Sequence, residues 1–576
     1  MRPTLRFFAI IPLVLLLIAP SAGAAYDVGK VCVAPNDQVS PAIATDNAGG
    51  AFITWQDARN GSDHDIYAQR VDPTGLPVWT VNGIGVAILP LIESTPAIVA
   101  DGAGGAIIAF CNNDNPFIAH EDIYVQRVDA SGAVLWTAGG VAVCTAIQRQ
   151  LNPVLVSDGT GGAFVAWRDS RAGELTNDIY VQRVDASGVP QWTPDGVAVC
   201  TAANNQFGLG MTLDGAGGAI LSWADGRIDS DINIYAQRVD ALGATQWTGD
   251  GVALCAAGLH QLNPVIISDG AGGAIVAWDD SRDGTYQLPA EDIFAQRVDA
   301  FGAVQWTADG VPVASLAKNQ KEPVILPDGA GGAIISWSDS RDSAINKLGI
   351  YAQRVDASGT GQWTVNGVAV CSYAGNKSQL KIASDGAGGA IVTWLDRRYT
   401  VGQQSQMDIF AGRVTSSGVR PWSLNGVAVC TAPNAQASPC IVAKADGVLV
   451  AWQDFRSGTT NDIYTLPVSA QGVVPTGVGD TPLVPAGVLA TNYPNPFAAE
   501  TNITVSLAND ANVNIDVFDV AGRSVRTVRL GQMAAGSTDI KFDGIGNDGR
   551  PLASGVYFCR VHAAGQVATR KIVITR

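Results

Sequence analysis

The chain has 576 residues, with 36 Lys+Arg against 52 Asp+Glu, a formal net charge of −16 and 47% hydrophobic residues. That apolar content suffices for a large core and excludes a disordered or collagen-like chain. The acidic balance opposes a phosphate-binding surface, so no nucleic-acid partner is expected.

Arg2 and Arg6 precede an apolar run from Phe7 to Ala19, and the small-residue site Ser21-Ala22-Gly23-Ala24 follows. This layout is that of a signal peptide over residues 1–24, with cleavage expected after Ala24. The run is shorter than the about 20 residues a bilayer span needs, and no later stretch reaches that length. The mature chain is therefore expected to be exported, extracellular or attached to the outer surface, without a transmembrane segment.

Residues 25–472 are governed by an internal repeat. Its clearest statement runs from Pro264 to Cys371 as two successive units, each carrying an apolar run, a D-G-A-G-G-A turn, an apolar run ending in Trp, D-x-R, a variable loop, I-(Y/F)-A-Q-R-V-D, and a turn before a second Trp. The first aromatic register is Trp55, Phe110, Trp167, Trp223, Trp278, Trp337, Trp394 and Trp452. The second is Trp79, Trp136, Trp192, Trp247, Trp306, Trp363 and Trp422, so the two registers absorb all 14 tryptophans. Eight units of about 57 residues follow from this spacing.

Within a unit the apolar runs are short, lie between Gly, Asn and Asp turns, and are apolar on both faces, as at Ala274 to Trp278. Such strands must be sandwiched between layers, and radially repeated four-stranded antiparallel sheets meet that demand. The predicted fold is all-β, an eight-bladed β-propeller. The eighth unit lacks the second Trp and the G-V-A-V-C-T-A segment, while Val31-Cys32-Val33-Ala34-Pro35-Asn36 aligns with Val429-Cys430-Thr431-Ala432-Pro433-Asn434. The N-terminal segment is expected to complete the last blade and close the ring.

Asp129-Ala130-Ser131-Gly132-Ala133-Val134-Leu135-Trp136 resembles the tryptophan-docking motif of quinoprotein-like propellers, one residue shorter between Asp and Gly. In catalytic members the resemblance would imply pyrroloquinoline quinone, calcium and a vicinal Cys pair. No Cys-Cys pair exists here, so only architecture carries over and no cofactor is expected.

Repetition separates scaffold from function. The pairs Asp57/Arg59, Asp169/Arg171, Asp225/Arg227, Asp280/Arg282, Asp339/Arg341, Asp396/Arg398 and Asp454/Arg456 recur in seven units, where a catalytic dyad would be needed once. They are read as structural ion pairs, as are the strand arginines Arg70, Arg127, Arg183, Arg238, Arg297, Arg354 and Arg413. Cys32, Cys144, Cys200, Cys255, Cys371 and Cys430 share one repeat position and read as buried small hydrophobes, with Cys440 left open to pair with Cys32 or Cys430.

Two loop sets vary. One lies between D-x-R and I-(Y/F). The other precedes each first strand and holds a recurrent polar position, Gln38, Glu93, Gln150, Gln206, Gln261, Gln320, Gln379 and Gln436. If the first strand is innermost, these eight residues are the expected ligand-binding ring at the channel mouth. The alternative is that they satisfy backbone groups between blades. His64, His120 and His260 stand in loops without metal-ligand spacing, so no metal site is expected, and no Walker loop, G-x-S-x-G or dinucleotide fingerprint occurs.

Residues 473–488, with Pro475, Pro482 and Pro485, read as a spacer. Residues 489–576 open on Asn492-Tyr493-Pro494-Asn495-Pro496-Phe497. They also carry Asp519-Val520-Ala521-Gly522-Arg523, Ser554-Gly555-Val556-Tyr557-Phe558 and Arg570-Lys571-Ile572-Val573-Ile574. These segments resemble the C-terminal sorting domain of type IX secretion substrates and the related FlgD-type immunoglobulin-like module. The resemblance implies a β-sandwich that engages secretion machinery. Because every strong motif is repeated and none is singular, the expected function is a non-catalytic binding or scaffold protein for a glycan or surface protein. A glycosidase or lyase on the loop face is the alternative.

Overall fold

The computed structural model describes residues 29–575 except 62, 91, 114–119, 174–175, 229–230, 285–289, 342–347, 374, 399, 402–403, 406, 476–487, 494, 496, 508–509, 535 and 564–565. The expected signal peptide and most of the spacer lie outside the described residues.

Blade 5 shows how one repeat folds. Gln261–Ser268, Ala274–Asp280, Asp292–Val298 and Val311–Ala314 form an antiparallel sheet in chain order. The first hairpin turns on D-G-A-G-G-A: Asp269 Oδ1 accepts from the backbone N–H of Ala271 and Gly273 at 2.7 and 2.9 Å. Gly273 is required because a Cβ there would stand 2.1 Å from the Val298 carbonyl oxygen. Ala274–Asp280 is buried at every position, as a strand packed between two neighbouring blades must be.

Eight such sheets form the ring. The first strand of each blade packs on that of the next, and Gln436–Lys444 of blade 8 returns against Gln38–Thr45 of blade 1. Blade 8 takes its fourth strand from the N-terminus, with Lys30–Cys32 antiparallel to Asp462–Ser469. The closure expected from the sequence is thus present.

The repeated polar residues are consumed by the scaffold. Trp278 is fully buried and its Nε1 donates to Asp280 Oδ2 at 2.8 Å, while Arg282 donates to both oxygens of Asp280 and lies 3.9 Å over the Phe294 ring. Arg297 pairs with Asp269 and donates to the Ala357 carbonyl of the next blade. All nine cysteines are free and buried. Cys440 Sγ donates to the Ala451 carbonyl, and Cys32 and Cys430 each face the Asp of a D-x-R pair, so neither proposed partner is bonded to it.

The C-terminal module is a sandwich of two sheets. One holds Val488–Tyr493, Thr501–Leu507 and Gly536–Phe542. The other holds Ala511–Asp519, Ser524–Met533, Gly555–Ala563 and Gln566–Ile574. Val513, Ile515 and Val517 alternate inward to meet Ile503, Val505, Phe542 and Val561 in a single core.

Candidate functional site at the channel mouth

The eight first strands line an axial cavity of about 870 Å³. Its wall is apolar, with Ile43, Val154, Ile266, Ile325, Ile382 and Ile441 among the lining residues, and Lys381 is its one charged side chain among the described residues.

At the mouth each first strand carries a β-bulge, with a register shift between its second and fifth residues in seven blades and its third and sixth in blade 2. The bulged residue takes a left-handed conformation: Ser40, Thr95, Asn152, Gly208, Asn263, Glu322, Gln379 and Ser438 have φ between 50° and 62°. Six of the eight are followed by Pro, which tolerates a bulge because it has no ladder N–H to lose. The bulge aims its residue outward, and seven of the eight are exposed. The result is a rim of eight positions that carry six residue types on a repeating scaffold.

The predicted ring lies beneath this rim. Gln38, Glu93, Gln150, Gln206, Gln261, Gln320 and Gln436 are fully buried. Gln38 Nε2 donates to the carbonyls of Pro35 and Asn36 at 3.1 Å, and Gln150, Gln206, Gln261, Gln320 and Gln436 hold their own loops in the same way. The expectation that these side chains face the mouth is corrected: a side chain that fills its own blade offers no exposed atom to a ligand. Gln379 differs because the sequence register slips by two. Lys377 occupies the buried position in blade 7, donating through Nζ to the Leu348, Tyr373 and Gly375 carbonyls, and Gln379 is a rim residue. Glu93, the lone carboxyl of the ring, is pushed up to about 8 by burial.

A second set of unlike groups supports the rim. Between the register aromatic and the D-x-R aspartate, or Asn112 in blade 2, stand Gln56, Cys111, Arg168, Ala224, Asp279, Ser338, Leu395 and Gln453. Several brace a bulge: Gln453 Oε1 accepts from Ser40 N at 3.3 Å, and Thr95 Oγ1 donates to Cys111 Sγ at 3.1 Å. Asp279 accepts from Glu322 N at 2.9 Å and from Asn263 Nδ2 at 2.7 Å. Burial, with Glu291 and Glu322 nearby, pushes its carboxyl up to about 7 despite those bonds. The Arg168 side chain has no hydrogen-bond or ion-pair partner among the described residues, and its buried Nε is unsatisfied. The sequence reading passed over this position. Its signal was variability between two nearly invariant neighbours.

The histidines do not join the mouth. The His64 carbonyl accepts from Glu93 N at 2.7 Å, and His120 Nδ1 lies 3.9 Å from Asp122 Oδ1. Among the described residues no three His, Cys, Asp or Glu side chains converge as a metal-binding group.

Two recesses flank the cavity. One, of about 350 Å³, is lined by Thr95, Asn152, Arg168, Gly208 and Leu209. The other, of about 610 Å³, is lined by Gly208, Asn263, Glu322, Gln379 and Lys381.

With this geometry, the chain is an all-β protein in which an eight-bladed propeller precedes an immunoglobulin-like module. Residues 491–566 match the family described as FlgD Ig-like domain. No curated protein matches the chain. Among solved structures, a protein of unknown function from Dyadobacter fermentans is 13% identical, covering 76% of this chain and 96% of its own, with a TM-score of 0.37. The polysaccharide lyase Uly1 is 9% identical over 69% of this chain and 94% of its own, with a TM-score of 0.40. An α-L-arabinofuranosidase from Fusarium graminearum is 12% identical over 55% and 91%, with a TM-score of 0.31. Likenesses of this size carry no argument about the chemistry of this chain.

Proposed function

We propose that the propeller is a binding module that takes a saccharide at the rim of its axial channel. It would act on an exported or surface-attached protein whose C-terminal module serves sorting. One observation carries the reading. The repeated D-x-R and strand arginines are paired with aspartates inside the blades, whereas the unlike polar groups converge at one exposed mouth. A rim of amides, hydroxyls and the Glu322 carboxyl set between Pro and Leu surfaces matches a ligand with hydroxyls on its edges and C–H groups on its faces. The match to the FlgD Ig-like domain supports the sorting role, since that module is a separate sandwich with its own core.

The test is a polysaccharide array on the mature chain, read for retention and for released product. Retention without product is the expected result, and silence across the array would overturn it. One observation favours the rival glycosidase or lyase: Asp279, buried beneath the rim, is a carboxyl raised to about 7 and stands next to the exposed Glu322. Glycosidases use a protonated and an ionised carboxyl in company. Released oligosaccharide that disappears in Asp279→Asn would establish that reading instead.

A further inference from the structure

We propose that the recess spanning blades 2 to 4 is an acidic-sugar subsite, in which the Arg168 guanidinium binds the carboxylate of a uronate residue. The inference rests on the saccharide-binding reading and names the class of sugar.

Arg168 departs from the pattern of the repeat arginines. Each D-x-R and strand arginine has a carboxylate partner, as Arg171 does in Asp169 at 2.6 Å and Arg127 does in Asp101 at 2.8 Å. Arg168 has none, although the chain carries an excess of acids. Its neighbour Arg149 is already neutralised by Glu121 through two bonds of 2.5 and 2.9 Å. Burial, together with repulsion from Arg149, lowers the Arg168 pKa from its ordinary value, which is the signature of a cation without an anion. Its buried Nε has no acceptor, as in Arg183, Arg341 and Arg398, but those three have an aspartate on another guanidinium nitrogen and, among the described residues, Arg168 does not.

The space over it is shaped. At the rim position seven blades carry a side chain and blade 4 carries Gly208, so the rim has one notch, and the recess opens there beside Arg168. Asn152 and Thr95 supply a carboxamide and a hydroxyl at its edge, and Pro96, Pro153 and Leu209 supply apolar faces. The notch also borders the recess holding Gln379, the acidic Glu322 and the cation Lys381. A linear oligosaccharide crossing the mouth would pass from one cation to the other. The planar guanidinium fork fits a carboxylate through two parallel hydrogen bonds.

The test uses the mature chain titrated with oligogalacturonate, its fully methyl-esterified form, a neutral galactan oligomer and polyglutamate. The free acid should bind about 10- to 100-fold more tightly than its ester at low salt, the range expected of one charge-assisted contact, and lose that margin as salt rises. Arg168→Gln should bring the acid down to the affinity of the ester. Gly208→Asn, a residue that tolerates the +62° φ found there, should weaken both by filling the notch. Equal binding of acid and ester, no change in Arg168→Gln, or equal binding of polyglutamate would overturn the inference. Binding of neutral galactan without charge preference would overturn it and leave the saccharide reading standing. No glycan binding at all would remove both.

Discussion

The indole N–H of Trp306 donates to the Ala357 carbonyl of the next blade at 3.1 Å, and Gly359, two residues on, lies against the same ring. Trp79, Trp136, Trp192, Trp247, Trp363 and Trp422 repeat the contact, so seven junctions are stapled alike. The eighth differs: Gly75 of blade 1 stands over Thr465 and Pro467 of blade 8, where no Trp exists.

Trp306→Ala should lower stability by about 3–5 kcal/mol, the usual cost of emptying a large aromatic site. Gly359→Ala should also destabilise, because its φ is +84° and a Cβ would lie 2.8 Å from the indole. Urea unfolding followed by Trp fluorescence measures both.

Lys377 places an ammonium where six other blades use Gln and one uses Glu. Lys377→Gln should hold or raise the melting temperature, since a carboxamide serves the same loop carbonyls without a buried charge. Lys377→Met should lower stability by about 1–3 kcal/mol by leaving those carbonyls without a donor. Calorimetry of the two variants separates the outcomes.

Stability should peak in mildly acid solution. Burial pushes Asp178, Asp292 and Asp462 up to about 6, Asp279 to about 7 and Glu93 to about 8. A carboxyl whose folded pKa is raised takes up protons on folding, so stability rises as pH falls through these values toward the unfolded range near 4. At Asp214 burial alone would raise the pKa, but bonds from Ala216 N, Gly218 N and Arg238 outweigh it and hold the group below the usual range. Asp158, Asp225 and Asp328 are also held low, so their contribution is lost as pH drops below about 4. The melting temperature should climb from pH 8 to about 5 and collapse below about 4. A flat profile from 8 to 5 would contradict this.

The thiols should be silent. Burial raises Cys32, Cys144, Cys200, Cys255, Cys430, Cys440 and Cys559 to about 12, and Cys111 to about 11. A disulfide-exchange reagent at pH 8 should titrate almost none in the native chain and all nine in denaturant.

Blade architecture was legible in the sequence because each strand repeats eight times, and a residue such as Trp278 or Arg282 declares its structural role by recurring. The rim was not. Gln150 and Asn152 are two residues apart in one strand, and only the bulge between them decides that the first is buried and the second exposed. Recurrence pointed to the Gln, which repeats because it holds its loop. Arg168 and Asp279 were hidden for the opposite reason: they stand at a position that carries seven residue types in eight blades, with only Gln56 and Gln453 alike, and comparing like with like passes over it. Lys377 broke the alignment of blade 7, since a cation there looks unlike the carboxamide it replaces.

The seam where Lys30–Cys32 meets Asp462–Ser469 sets a timetable. Seven junctions join consecutive blades and can form as each blade is completed. The eighth must wait, because its strands are separated by nearly the whole ring and loop closure precedes any gain from their contact. Until then blade 1 keeps an open flank and the array has no fixed axial diameter. A ligand that spans the mouth from blade 3 to blade 7 would meet its full complement of groups only on a finished circle, so binding should report completion of the fold.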